Sequence, residues 1–152
     1  MNKISAVVMA LLFVLLSANL YAAQTDAAGC KDHPLIPRMQ DYYINACSSA
    51  TANFDADVLD GKKTETVHIE GNSTAFSYSP QAGTKSKVGE LQVRRDFENG
   101  VKKQGGKLLG ETIGQKWPIY KIVKDGKEYW IVLLINSGKY FSGSYAVRIV
   151  EK

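Results

Sequence analysis

The chain has 152 residues, a formal net charge of +4, and 45% hydrophobic and 22% charged residues. This size fits one domain, and no repeat or low-complexity tract divides it. The chain has only two cysteines and two histidines. It therefore offers few ligands for a zinc cluster and few residues for a catalytic site built on several histidines. The mild positive charge is compatible with an anionic partner but does not require one.

Residues Met1–Ala23 have the pattern of a cleaved secretory signal peptide. A basic residue precedes an almost unbroken apolar run, and small residues follow. The run is short for a membrane span of about 20 residues. We therefore expect export to the periplasm, a single α+β domain over residues 24–152, and no transmembrane span after cleavage. Export also argues against nucleic acid as a partner.

The two cysteines, Cys30 and Cys47, are an even pair in a chain expected to be exported. Such a pair favours a disulfide, which would stabilise the fold by on the order of 3 kcal/mol in the chain-entropy model. Lipidation of Cys30 is the alternative, because Ala27-Ala28-Gly29 superficially resembles a lipidation box. Three polar residues separate this box from the apolar run, and the bulky aliphatic residue usual before the cysteine is missing.

A polar cluster follows Cys30. Asp32-His33-Pro34 has the composition of a turn, since the residue before proline avoids helical conformation, and Arg38 lies four residues after Pro34. One hypothesis is a small ligand pocket beside the disulfide, formed by Asp32, His33 and Arg38. The other is a turn in which Asp32 and His33 cap backbone groups and Arg38 pairs with an acidic neighbour.

The next stretch predicts short strands with turns at Asp60-Gly61 and Gly71-Asn72-Ser73. The predicted strands are Tyr42–Ala46, Phe54–Val58, Lys63–Glu70 and Thr74–Ser79. Asp55 and Asp57 would lie on the same face of the second strand. They are the carboxylate pair that an alternative function, hydrolysis of envelope material, would use.

The one long helix is predicted over residues 86–104. Val93, Phe97 and Val101 form a narrow apolar stripe that fits against a sheet, and Gly100 beside them suggests close approach to a strand. Ser86 is a suitable N-cap, and Gly105-Gly106 a strong stop.

The charged side of this helix carries Arg94 and Arg95, followed by two lysines. It has two interpretations. It is either an anion-binding surface or a solvated face partly neutralised by Glu90 and Glu98, which stand four residues before a basic residue.

The rest of the chain predicts strands. They are Lys107–Ile113, Trp117–Lys124, Lys127–Asn136 and Lys139–Val150. Asp125-Gly126 is a strong two-residue hairpin signal, and Tyr129–Ile135 is apolar throughout, as in a strand covered on both faces. We therefore predict an α+β fold, with one main helix packed on a mainly antiparallel sheet and a hairpin-rich C-terminal half.

Two features of this half suggest binding. Trp117, beside Pro118, is the aromatic residue expected to be most exposed, and it could stack on a ligand. The long last strand could also pair by its edge with a neighbouring protein, in which case Arg148 and nearby lysines would guard it against misassociation.

Three blocks carry a resemblance to a known family. They are KDHPLIPRM at 31–39, GELQVRRDFENGVKKQGGK at 89–107 and DGKEYWIVL at 125–133. Together they resemble the domain that precedes the OmpA-like peptidoglycan-binding domain in some Gram-negative envelope proteins. Those relatives carry their peptidoglycan contacts in the OmpA-like domain, which we expect to be absent here, so no binding residue is carried over.

The resemblance implies a cell-envelope location, with outer-membrane association as one form of it, and an accessory or binding role. We expect no cofactor and no metal, because neither histidine has a metal-ligand spacing. The expected partner is an envelope protein or an anionic envelope polymer, either peptidoglycan or lipopolysaccharide. The candidate surface residues are Asp32, His33, Arg38, Arg94, Arg95 and Trp117.

Overall fold

The structure is a computed structural model that describes residues 22–83, 88–136 and 141–152. The predicted signal peptide lies almost entirely outside these residues. The described chain forms six strands and one helix. They are β1 (Tyr42–Asp60), β2 (Lys63–Pro80), α1 (Glu90–Lys103), β3 (Lys107–Thr112), β4 (Pro118–Lys124), β5 (Lys127–Leu134) and β6 (Tyr145–Glu151).

All strand pairs are antiparallel, and the sheet closes into a barrel with the strand order β1-β2-β6-β5-β4-β3. The prediction of one helix packed against an antiparallel sheet is therefore confirmed. β4 and β5 pair across Asp125–Gly126, with Lys124 opposite Lys127, as the turn signal predicts. β3, β4 and β5 begin and end within two residues of their predicted bounds.

The first half of the sheet differs from the prediction. Four short strands were expected, but β1 and β2 are continuous strands of 19 and 18 residues. They pair from Tyr42–Pro80 to Asp60–Lys63, with one register shift between Ile44 and Ala46. The expected turn at Gly71-Asn72-Ser73 is wrong. These residues stay in β2, where Gly71 pairs with Ala52.

Gly71 marks the place where the long hairpin leaves the rest of the sheet. β2 pairs with β6 from Asn72 to Tyr78, and the last residue of that ladder is Glu151. Gly71 has a φ of 149°, and a Cβ atom there would lie 2.1 Å from the backbone oxygen of Glu151. A glycine is required because no side chain fits this crossing.

Beyond Gly71 the hairpin folds over the sheet, and its end meets β3. Val58 pairs with Thr112 and Leu59 with Glu111. Gly110 allows this contact, because a Cβ atom there would lie 2.6 Å from the backbone oxygen of Leu59. The β3–β4 ladder shifts register at the same glycine, as expected for a bulge that redirects a strand.

The fold buries two apolar clusters, one on each face of β4, β5 and β6. The larger lies beneath α1 and the segment before β1, and it includes Tyr78, Tyr120, Ile131 and Leu133. The smaller lies beneath the end of the long hairpin. It contains Ala52, Ala56, Val58, Ile69, Ile119, Trp130, Val132 and Val150. β5 contributes to both clusters, which confirms the prediction that this strand is covered on both faces.

α1 packs on the sheet as predicted, with Val93, Phe97 and Val101 buried. Its start differs, because the N-cap is Gly89 and no side chain caps the helix. The prediction that Ser86 is the N-cap is therefore wrong, and Ser86 itself lies outside the described residues. Gly100 does not mark a close approach, since a Cβ atom there would meet nothing within 4 Å.

The disulfide between Cys30 and Cys47 is present, so the alternative of a lipidated Cys30 is not supported. It ties the segment before β1 to the first third of that strand. No helix among the described residues is long and apolar enough to cross a membrane.

The position of β6 corrects another expectation. Its described part, from Tyr145, lies between β2 and β5 and pairs with both, so it cannot lend an edge to a neighbour. Lys139 and Tyr140, where the predicted strand begins, lie outside the described residues.

Two glycine substitutions test this account of the fold with opposite signs. Gly71→Ala should destabilise the protein by roughly 2 kcal/mol or more, because it adds a clash to an unfavourable φ. Gly100→Ala should stabilise it by up to about 1 kcal/mol, because alanine favours the helix and the space is open. Urea denaturation of the oxidised protein measures both. Equal effects at the two positions would contradict the crossing at Gly71.

Candidate functional site

Arg38 holds the segment before β1 together, and the two aspartates that it pairs with join this segment to the sheet. Its Nε donates to Asp32 Oδ2 at 2.8 Å, and its Nη2 donates to Asp26 Oδ2 at 2.6 Å. The other oxygen of Asp26 accepts the Ile44 N–H at 2.9 Å, and Tyr78 donates its hydroxyl to Asp32 at 3.2 Å. Asp32 and Arg38 are thus satisfied by the protein itself, which supports a structural role.

His33 has the capping role that the turn interpretation predicts. Its Nδ1 accepts the Leu35 N–H at 3.3 Å, and its ring meets Tyr129 edge to face at 5.9 Å. Burial lowers the pKa of His33, partly opposed by the charge of Glu151, so the ring is neutral at pH 7. The structure brings Asp32, His33 and Arg38 together, and we call the contacts of Arg38 with Asp26 and Asp32 the Arg38 latch.

Arg94 is also occupied. Its Nε donates to Glu90 at 2.9 Å, its Nη1 to Glu111 at 3.1 Å, and its Nη2 to the Lys116 carbonyl oxygen at 3.0 Å. It therefore fastens α1 to β3 and to the turn after β3. Arg95 is exposed, and none of the described residues forms an ion pair with it. Of the two adjacent arginines in the predicted anion-binding surface, Arg94 is paired, and Arg95 alone has no ion pair among the described residues.

The turn held by Arg94 positions Trp117. Thr112 donates its N–H to the Trp117 carbonyl at 2.9 Å, and its hydroxyl accepts the Trp117 N–H at 3.0 Å. Trp117 is half-buried against the smaller cluster, where high exposure was expected. Two of the predicted residues, Arg94 and Trp117, are therefore linked through one turn, a connection that no sequence pattern indicated.

Trp117 lines a cavity of about 420 Å³ at one end of the barrel, which we call the Trp117 cavity. Most of its wall is apolar. The apolar lining residues are Phe54, Ala56, Ile113, Trp117, Ile119, Val132 and Leu134. Its volume is within the range of small-molecule sites, and an apolar wall with few polar groups is typical of them.

Arg148 is the basic residue of this cavity. It lies on the same face of β6 as Val150 of the smaller cluster, it is exposed, and its guanidinium carbon is 5.7 Å from the ring centroid of Phe54. Among the described residues no carboxylate forms an ion pair with Arg148. Lys121, near the other end of the barrel, differs, because it is paired with Glu128 at 2.7 Å. The polar part of the lining also includes Asp55, Asp57, Thr112 and Gln115. The Trp117 cavity therefore combines an apolar wall with one cation, Arg148, and with two carboxylates that contact other side chains.

The two carboxylates considered for hydrolysis, Asp55 and Asp57, each contact another side chain of the hairpin. Asp55 lies 2.6 Å from Nδ1 of His68, and Asp57 accepts the Thr66 hydroxyl at 2.7 Å. Both pairs are exposed cross-strand contacts of the β1–β2 hairpin. The contact with Asp55 raises the pKa of His68, as a neighbouring carboxylate does. Within the described ranges no group of three or more metal-ligating side chains occurs.

The sequence did contain a signal for Arg148 that was interpreted differently. Arg148 alternates with Ala146 and Val150 in a strand whose other face carries Tyr145, Val147 and Ile149 before it ends at Glu151. A single charged residue among apolar residues on one face of a strand indicates that this face borders a cavity. It does not by itself indicate the edge of a sheet.

Comparison of the chain with protein-family models, with curated proteins and with solved structures gives no match. The case for function therefore depends on the geometry of the residues described above.

The latch around Arg38 gives a pH prediction. The Arg38 guanidinium and the Ile44 N–H lower the pKa of Asp26. Its contribution to stability is therefore complete above the unfolded pKa, about 3.9, and is lost as pH falls through the folded pKa. Asp26→Asn should lower the free energy of unfolding at pH 7 and weaken its dependence on pH below about 5.

Urea denaturation across pH 2–7 measures this effect. Asp125→Asn, which removes a carboxylate from an exposed turn, is the control. A pH dependence that is the same in Asp26→Asn as in the unmodified protein would show that the latch does not contribute.

Proposed function

We propose that this protein is an exported binding module of the cell envelope, without catalytic activity, and that the Trp117 cavity is its ligand site. Export is supported by the signal-peptide pattern of Met1–Ala23 and by the Cys30–Cys47 disulfide, a bond typical of oxidising compartments. The resemblance to domains that precede OmpA-like domains supports a periplasmic location with outer-membrane association.

The observation that carries the proposal is the pairing of an apolar wall with Arg148 in one cavity of about 420 Å³. An apolar group leaves water on entering such a site, at about 25 cal/mol for each Å² buried. An acidic group near the mouth would pair with the arginine, which binds carboxylate or phosphate through two parallel hydrogen bonds. The ligand therefore combines an apolar group with an acidic one.

This chemistry narrows the expected partners. Peptidoglycan, lipopolysaccharide and envelope proteins all carry acidic groups, so Arg148 alone does not separate them. The apolar wall favours a partner that presents an apolar group beside the acid. Asp55 and Asp57 also line the cavity, but both carboxylates are engaged in exposed cross-strand contacts with Thr66 and His68, so hydrolysis gains less support.

Two probes with the same alkyl chain test the proposal. Octyl sulfate is an anion and octyltrimethylammonium a cation, and we expect only octyl sulfate to shift the NMR signal of the Trp117 indole N–H. Arg148→Gln should weaken octyl sulfate binding about tenfold, the loss expected for one charge-assisted contact of about 1.5 kcal/mol.

Arg95→Gln is the matched control, because it removes the same charge from the exposed face of α1. It should leave octyl sulfate binding unchanged. Equal losses in the two variants would show that net charge, rather than the cavity, attracts the anion. Absence of binding would overturn the assignment of the Trp117 cavity as the ligand site.

A further inference from the structure

β1 has a free edge beside the Trp117 cavity. One side of β1 pairs with β2 along its whole length. On the other side, β3 pairs only with Val58 and Leu59. We call the segment Ser49–Asp55 the β1 edge. It is exposed except at Ala52 and Phe54, whose side chains face the smaller apolar cluster.

The register shows which backbone groups point outward. The Asp57 carbonyl accepts the Ile113 N–H at 3.1 Å on the side away from β2. Because alternate residues of a strand point their N–H and C=O groups the same way, Ser49, Thr51, Asn53 and Asp55 also point outward. In the described parts of the chain no backbone group bonds to these four residues on that side.

The β1 edge lacks the usual protection against strand pairing. Natural edges carry lysine, proline, a bulge or a covering loop. The β1 edge contains no lysine and no proline, and its one charged side chain, Asp55, is bonded to His68. The register shift lies before Ala46. A straight row of unpaired donors and acceptors fits one kind of occupant, an extended polypeptide that adds a strand.

The edge is also continuous with the cavity. A hollow of about 260 Å³ lies along Ser48–Phe54 and shares Phe54 and Arg148 with the Trp117 cavity. A strand added to the β1 edge would run past the β3–β4 turn and across the mouth of the cavity. Its side chains on the inner face would then point towards Trp117 and Arg148.

We propose that the partner is an extended segment of another protein, which pairs with the β1 edge and places an apolar side chain in the Trp117 cavity and an acidic one near Arg148. This inference rests on the proposed function for the cavity, and it adds the class of partner and the backbone contacts. A second copy of the chain fits less well. Its own β1 edge offers Arg148 no carboxylate, since Asp55 is bonded to His68.

The first test selects ten-residue peptides from a random phage-displayed library on the immobilised oxidised protein. We expect enriched peptides with apolar residues at alternate positions and an acidic residue among them. A selected peptide, once synthesised, should slow amide hydrogen exchange at Ser49, Thr51, Asn53 and Asp55. Without peptide these amides should exchange quickly, whereas those of Ala50 and Ala52, which face β2, should already be protected.

A matched pair of variants tests the backbone contacts. Thr51→Pro removes one outward N–H, which an edge strand tolerates, and should weaken peptide binding at least tenfold. Thr51→Val keeps the N–H and the branched shape, and should bind as the unmodified protein does. If the proline variant does not fold, N-methylation of alternate peptide amides replaces it. One of the two methylated sets should then lose binding while the other retains it.

The outcomes separate this inference from the proposed function. Octyl sulfate binding should survive Thr51→Pro, because the cavity stays intact. No enriched peptide, or a bound peptide that leaves the four amides unprotected, would overturn the strand partner and leave the cavity assignment standing. If the four amides are protected from exchange without peptide, and the protein has the mass of a dimer in solution, the partner is instead a second copy of the chain.

Discussion

The crossing of β2 over the end of β6 is the constraint on which the rest of the fold depends. At Gly71 the two chains approach so closely that a Cβ atom would lie 2.1 Å from the Glu151 carbonyl oxygen. From Asn72 to Tyr78, β2 pairs with β6, whereas the part of β2 before Gly71 and its partner residues in β1 cover the smaller cluster. A side chain at this position would push the hairpin away from β6 and expose the smaller cluster to water.

Because of the crossing, the two faces of β4, β5 and β6 are covered by different parts of the chain. α1 and the disulfide-linked segment before β1 close the larger cluster, and the end of the hairpin closes the smaller one. Polar contacts hold the first cover in place, through Arg38 to Asp26 and Asp32 and through Arg94 to Glu111. The second cover meets β3 over only two residue pairs. These pairs close the barrel, but they leave an opening beside the rest of β1.

The opening explains why the cavity and the free edge are neighbours. β1 continues well beyond the two residues that β3 covers, and the β3–β4 turn ends the sheet at that point. The uncovered length of β1 therefore forms one side of the opening, and Trp117, held by the turn, forms another. A single geometric cause, the short β1–β3 contact, produces both an apolar cavity and an unpaired strand.

Local patterns in the sequence predicted the parts of the fold that local interactions determine. The stripe of Val93, Phe97 and Val101 predicted α1, Asp125-Gly126 predicted the β4–β5 turn, and the cysteine pair predicted the disulfide. Gly71 was misinterpreted as a turn because its conformation is required by Glu151, which lies 80 positions later. No pattern near Gly71 carries that information.

The site was predicted only in part for the same reason. Trp117 was named for its expected exposure, and the structure places it half-buried on the wall of a cavity. For Arg38 and Arg94 the sequence left a ligand-binding and a paired interpretation open. The fold adds the partners that local patterns did not show, Asp26 for Arg38 and Glu111 for Arg94. Arg148 was missed because the last strand was taken for an edge, and strand order follows from long-range pairing that the sequence does not display.

The most direct test of the account is a crystal structure of the oxidised protein with a peptide selected on it. The account predicts a seventh strand beside Ser49–Asp55, with an apolar side chain of the peptide against Trp117 and an acidic one within hydrogen-bond distance of Arg148. A peptide bound elsewhere, for example along Arg95 and the outer face of α1, would contradict the claim that the cavity and the β1 edge form one site.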